Sequence, residues 1–175
     1  MTRLEYTILY LLSKAKEKDI SDLSKFQIMK LIYLLEIEAY KFTGKSFFDS
    51  VYFKRDDNGP ISVDIYTALD NLTGGYIKRE IVENPGYGYP RHCISLKKNI
   101  KKFELKDTEK IFLNSVFESY LNLSQKKLKE ITYSTEPMKE ILIEEKKAHG
   151  ILKGRHVDLT SVSLDEEMIN LFKHE

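Results

Sequence analysis

Between Ser24 and Gly44 the chain carries Phe26, Ile28, Met29, Leu31, Ile32, Leu34, Leu35 and Ile37, which at helical spacing point around most of a circumference. A helix apolar on nearly every side must be surrounded by other elements, so this segment is expected at the centre of a core, with Lys30 and Glu36 as its main interruptions. Ser24 and Gln27 stand at the spacing where a hydroxyl and a reaching side chain satisfy the first free amides reciprocally, and Gly44 ends the helix. With 175 residues the chain is long enough to enclose such a helix, and its length favours one domain over residues 1–175.

The neighbouring segments read as further helices and a few strands. Leu4, Ile8, Leu11, Leu12 and Ala15 share one face of a helix over 3–17. Residues 47–55, with Phe48, Val51, Tyr52 and Phe53, read as a short strand, and Asp56 to Pro60 as a turn. Ile65, Leu69 and Leu72 mark a helix over 61–73, stopped by Gly74 and Gly75. A hairpin follows, with strands over 76–83 and 91–96 around the loop of Pro85, Gly86, Gly88 and Pro90. Beyond a Lys-rich linker come a helix through Leu113, Val116 and Phe117, one after Ser124, one opened by Pro137, and a last one starting at Ser163 and carrying Leu164, Met168, Leu171 and Phe172. The expected class is α+β, mostly helical, with a small antiparallel sheet.

Charge and composition narrow the function. Lys and Arg total 28 against 27 Asp and Glu, a net charge of +1, so bulk charge does not drive binding to a polyanion. One cysteine, Cys93, excludes an internal disulfide and a multi-cysteine zinc site. The longest early apolar run, Ile8 to Leu12, is too short for a signal peptide or a membrane span, which needs about 18 residues, and the expected location is the cytoplasm.

No residue set announces catalysis. His92 and Cys93 are strand neighbours facing opposite sides, and His149, His156 and Asp158 have no recognised metal spacing. Asp56-Asp57, Glu144-Glu145 and Asp165 to Glu167 read as solvated pairs at turns and helix starts. No catalytic residue, cofactor or metal is assigned, and the chain is read as a non-enzyme.

Two binding readings compete. The helix over 61–73 followed by a hairpin with Lys78, Arg79 and Arg91 has the order of a winged-helix DNA-binding regulator, of the kind carried by phages and mobile elements. That helix holds Asp64 and Asp70 and no Lys or Arg, which opposes phosphate and disfavours nucleic acid. Protein binding draws on aromatic density: Phe47 and Phe48 are consecutive, as are Tyr52 and Phe53, so in a strand one of each pair faces outward. Phe47 and Tyr52, with Lys54, Arg55 and Asp57 beside them, and Tyr87 and Tyr89 at the hairpin tip, are the candidate contact residues.

Several stretches together resemble the Panacea (SocA-like antitoxin) family. Phe26-Gln27-Ile28-Met29-Lys30-Leu31-Ile32-Tyr33 is similar to its Leu-Gln-Lys-Leu-Leu-Tyr helix, and Asn58-Gly59-Pro60-Ile61 with Ile65-Tyr66 to its Tyr-Gly-Pro-Val turn and following helix. Leu123-Ser124, Thr132-Tyr133 and Pro137-Met138 form a third, weaker match, with Tyr133 where the family often shows His and Met138 where it often shows Trp. The likeness covers about residues 20–140, leaving 141–175 as a C-terminal helical extension, and makes Gln27, Tyr33, Gly59, Pro60 and Tyr66 structural motif residues. It implies a mostly helical, non-catalytic domain that neutralises a cognate protein toxin, encoded by a neighbouring gene, through direct contact. Some members instead present the toxin to a cellular protease. The departures at Tyr133 and Met138 leave two readings, a copy that keeps the ordinary family contacts or a divergent prophage or mobile-element version with another partner.

Overall fold

The computed structural model describes residues 1–83, 86, 88–167 and 170. Tyr87 and the helical positions Met168, Leu171 and Phe172 of the sequence reading lie outside them. The elements, in chain order, are α1 (Arg3–Glu17), β1 (Leu23–Ser24), α2 (Lys25–Thr43), β2 (Lys54–Asp56), β3 (Gly59–Ile61), α3 (Val63–Leu72), β4 (Ile77–Val82), β5 (Arg91–Leu96), α4 (Asp107–Tyr120), α5 (Gln125–Ser134) and α6 (Glu136–Ala148). The class is α+β and mostly helical, as the sequence predicts. The chain divides into two compact units, one of residues 1–28 and 65–122, the other of residues 29–64 and 123–175.

The first unit is built on α1 and a three-stranded antiparallel sheet in the order β1-β5-β4. Thr2 caps α1: its hydroxyl accepts from the Glu5 amide at 3.2 Å, and the Glu5 carboxylate accepts from the Thr2 amide at 2.8 Å. Burial of α1 extends past the single face read from periodicity, since Thr7, Leu9 and Tyr10 are covered as well as Ile8, Leu11 and Leu12. Tyr10 explains part of this, meeting Phe103 edge to face at 5.2 Å and donating its hydroxyl proton to Asn114 at 2.8 Å. β1 was not foreseen. It is only two residues, Leu23 opposite Ile94 and Ser24 opposite Cys93, too short for alternation to register. Cys93 is buried, and that burial pushes its thiol pKa up.

The second unit is organised around the greater part of α2, where Leu31, Ile32, Leu34 and Leu35 are almost fully buried. Each such side chain contributes about 1.5–3 kcal/mol of transfer free energy. The expected strand over 47–55 shrinks to β2, because Glu36 takes the amides of Phe47 and Phe48 at 2.9 and 2.8 Å and wraps that stretch against α2. β2 pairs with β3 through a two-residue connection, Asp57-Asn58, so Gly59-Pro60 closes a hairpin before the chain enters α3. Pro60 lies opposite Arg55 and has no amide to give. None is needed, since the Arg55 amide and carbonyl face the other way, to Arg155 O and Gly154 N, both at 2.7 Å. Val157 N on Phe53 O at 3.0 Å extends this contact, so residues 154–157 lie along the outer edge of β2. Ser124 caps α5 through the Lys127 amide, and Pro137 sits in the first turn of α6, both as expected.

Candidate functional site

Three polar heads on one side of α2, at Lys30, Tyr33 and Glu36, fasten the rest of the second unit to it. All three residues are at most 1% exposed. The Tyr33 hydroxyl bonds the Thr135 hydroxyl at 2.8 Å, and its ring meets Phe53 edge to face at 5.2 Å. Glu36 accepts from Ser46 Oγ at 2.9 Å besides the two loop amides. Lys30 Nζ donates to the Pro60 carbonyl at 2.9 Å, beneath the β2–β3 hairpin.

Arg55 carries the second tether. Its guanidinium donates from Nε to Glu145 Oε1 at 2.8 Å, from Nη2 to Oε2 at 3.3 Å, and from Nη1 to the Tyr133 hydroxyl at 3.0 Å and the Asp56 carbonyl. Arg55 lies 5.2 Å from the centre of the Tyr133 ring. Glu145 also accepts from the Leu152 amide at 3.0 Å, and the Arg55 bond, ahead of that one, holds its carboxyl below the usual range despite burial. Burial is the largest single influence on Arg55 and works against its charge, but Glu145 and Tyr133 together outweigh it and raise its pKa.

Above this base the hairpin faces outward with Lys54, Asp57 and Asn58 exposed. Lys153 Nζ bridges Asp57 at 2.8 Å and Asp56 at 3.2 Å, and its bond holds the Asp57 carboxyl below the usual range. Lys129 reaches Asn58 at 3.2 Å. Tyr52 is 63% exposed, with its amide on Asp64 at 3.0 Å. Phe47, expected to face outward, is buried with Phe48, because a backbone gathered by Glu36 has no strand alternation. Arg55 is buried too, its whole fork taken up inside. Tyr89 is exposed on the β4–β5 hairpin. Among the motif residues, Gln27 bonds Ser24 reciprocally as the capping box requires, and the Lys25 ammonium lies over the Tyr66 ring at 5.0 Å.

Lys30, Tyr133 and Glu145 were missed as site residues, yet each left a signal. A charge inside an all-round apolar helix must be buried and partnered, and Glu145 continues the Met138, Ile141 stripe of α6. The Glu144-Glu145 pair therefore splits: Glu144 stays outside, bonded to Arg155 at 3.1 Å, and Glu145 turns in.

The sequence model of the SocA-like antitoxin family, the Panacea domain, matches residues 28–137. The chain belongs to that family. The Panacea match starts in α2 and ends at Pro137, so it contains Lys30, Arg55, the hairpin and Tyr133 but stops short of Glu145, Lys153 and Arg155. No curated protein matches the chain. The motif departures have plain positions in this Panacea member: Tyr133 packs on Arg55 and Gly59, and Met138 is fully buried in α6. Among the described residues no helix is long and apolar enough to cross a membrane, and no three His, Cys, Asp or Glu side chains are grouped to hold a metal ion.

Burial lowers the Lys30 pKa from 10.5 to about 7, with Lys129 and Arg55 adding to the effect. The folded chain therefore binds this proton less tightly than the unfolded one, so stability climbs as pH rises from about 7 towards 10.5. Chemical denaturation should show the native protein gaining about 2 kcal/mol between about pH 7 and pH 9 relative to Lys30→Met. Parallel pH curves for the two proteins would refute this.

Proposed function

We propose that the protein is an antitoxin that acts in the cytoplasm, without catalysis, by binding a cognate protein toxin through the exposed side of the β2–β3 hairpin. The observation carrying this reading is a hairpin fixed from beneath by Lys30 and by the Arg55–Glu145 pair while Tyr52, Lys54 and Asp57 face outward. Rigid presentation lowers the ordering cost of association, and an exposed tyrosine beside charges of both signs suits a protein partner. DNA fits less well, because Lys78, Arg79 and Arg91 are each ion-paired, to Glu80, Asp70 and Asp22.

The test is co-expression with the product of the neighbouring gene, scoring growth rescue and co-purification in high salt after nuclease treatment. Tyr52→Ala and Asp57→Lys are expected to weaken the complex about tenfold or more while leaving thermal unfolding nearly unchanged. Toxin level then separates two modes: a steady level with rescue means neutralisation by contact, and a shortened toxin half-life means delivery to a protease. Full rescue by both variants would move the interface off this hairpin.

A further inference from the structure

β4 is an edge strand whose sequence fits a second copy of itself. Its inner partner is β5 along its whole length, and among the described residues no strand lies on its other side. The ladder phase follows from two bonds: Lys97 N donates to Tyr76 O at 2.8 Å, towards β5, and Gly74 N donates to Ile77 O at 3.0 Å, away from it. Antiparallel strands alternate, so Arg79 and Ile81 direct their amides and carbonyls to the open side. Their side chains share the face of Ile77, which is fully buried, yet Ile81 is 69% exposed, and Val82 on the opposite face is 50% exposed. An edge with two large aliphatics exposed on a strand of six residues is a template for strand addition.

Charge decides the occupant and its register. With a two-fold axis at Ile81, Ile81 faces Ile81 of the other copy and Arg79, already held by Asp70 at 2.6 Å, gains Glu83 opposite it, twice over, at the cost of setting Glu80 opposite Val82 on the other face. An axis at Arg79 opposes two guanidinium groups, one at Glu80 opposes two carboxylates, and one at Val82 sets Ile81 against Glu83. We propose that this protein self-associates through β4, two copies pairing antiparallel about Ile81 to join their three-stranded sheets into one of six strands.

The experiment is sedimentation of the full chain over a concentration series, with two variants of Ile81, joined by oxidative cross-linking of two cysteine variants. Native protein is expected to rise from 20.5 kDa towards twice that mass. Ile81→Pro removes an amide that faces away from β5, so the β4–β5 ladder survives while edge pairing is lost, and Ile81→Lys opposes two charges at the axis. Both should stay at monomer mass with native circular dichroism. Ile81→Cys should form a disulfide-linked dimer on mild oxidation, because such a pair sits about 5.5 Å apart at Cα, within disulfide reach. Native protein, whose one thiol is buried, should not cross-link. A native chain at monomer mass at its highest soluble concentration, dimers of Ile81→Lys equal to native, or cross-linking by Glu80→Cys in place of Ile81→Cys would each overturn the proposal.

Discussion

Glu145→Ala is expected to destabilise the protein by about 3–5 kcal/mol, because it leaves the Arg55 guanidinium buried with its counter-charge gone. The side-chain exposures, 4% for Arg55 and 10% for Glu145, put the pair outside the regime where surface ion pairs contribute little. Arg55→Met alone should cost a comparable amount by stranding the carboxylate, whereas Arg55→Met with Glu145→Leu should lose less than either, since an apolar pair of similar size needs no counter-charge. Urea unfolding of the four proteins gives the cycle, and strictly additive losses would show that the two groups do not act as a pair. The pH sense is fixed as well. Arg55 holds the Glu145 carboxyl below its ordinary 4.5, so this contribution is complete above that value and fades as pH falls through the lowered one.

Gly59→Val is expected to cost about 2–4 kcal/mol, from two separable causes. At φ +94° a β-branched residue is strained, and a Cβ there would lie 3.1 Å from Tyr133 Cε2 and 3.2 Å from Lys30 Nζ. Gly74 has a similar φ of +85° with nothing within 4 Å of its would-be Cβ, so Gly74→Ala carries the strain without the crowding. The excess loss in Gly59→Ala over Gly74→Ala, read from thermal unfolding, measures how tightly the turn is pressed onto Tyr133 and Lys30. Equal losses would mean that the contact yields freely. Because Lys30, Tyr133 and the turn meet at this one point, Gly59→Val should also weaken partner binding, through displacement of Asp57 and Asn58 rather than through any contact of its own.

The central helix, the β4–β5 hairpin and the capping residues Ser24, Ser124 and Pro137 were legible in the sequence because each has a local cause: periodicity, turn chemistry or an orphan amide. What escaped was non-local. Phe47 and Phe48 have the composition of a strand, but a carboxylate one helix away takes their amides, and no window of neighbouring residues contains that fact. Arg55 read as a surface cation because charge on a short segment usually is one, and only its partner ninety positions later makes it internal. Of the contact residues named in advance, Tyr52, Lys54 and Asp57 face outward, Phe47 and Arg55 do not, and the tip tyrosine Tyr89 belongs to the other unit.

The shared stretch, residues 28–137, is not the stretch that must fold together. It holds a buried guanidinium whose carboxylate, Glu145, and whose neighbouring backbone, Gly154 to Val157, come from further along the chain. A fragment cut at residues 28 and 137 would leave that charge unanswered and the outer edge of β2 bare. The socket thus lies inside the matched stretch and its plug in the tail beyond it, and Lys153 on that tail reaches the outward face of the hairpin. A change at Lys153 alone would alter the charge carried on the hairpin's outer face without touching any residue of the matched stretch.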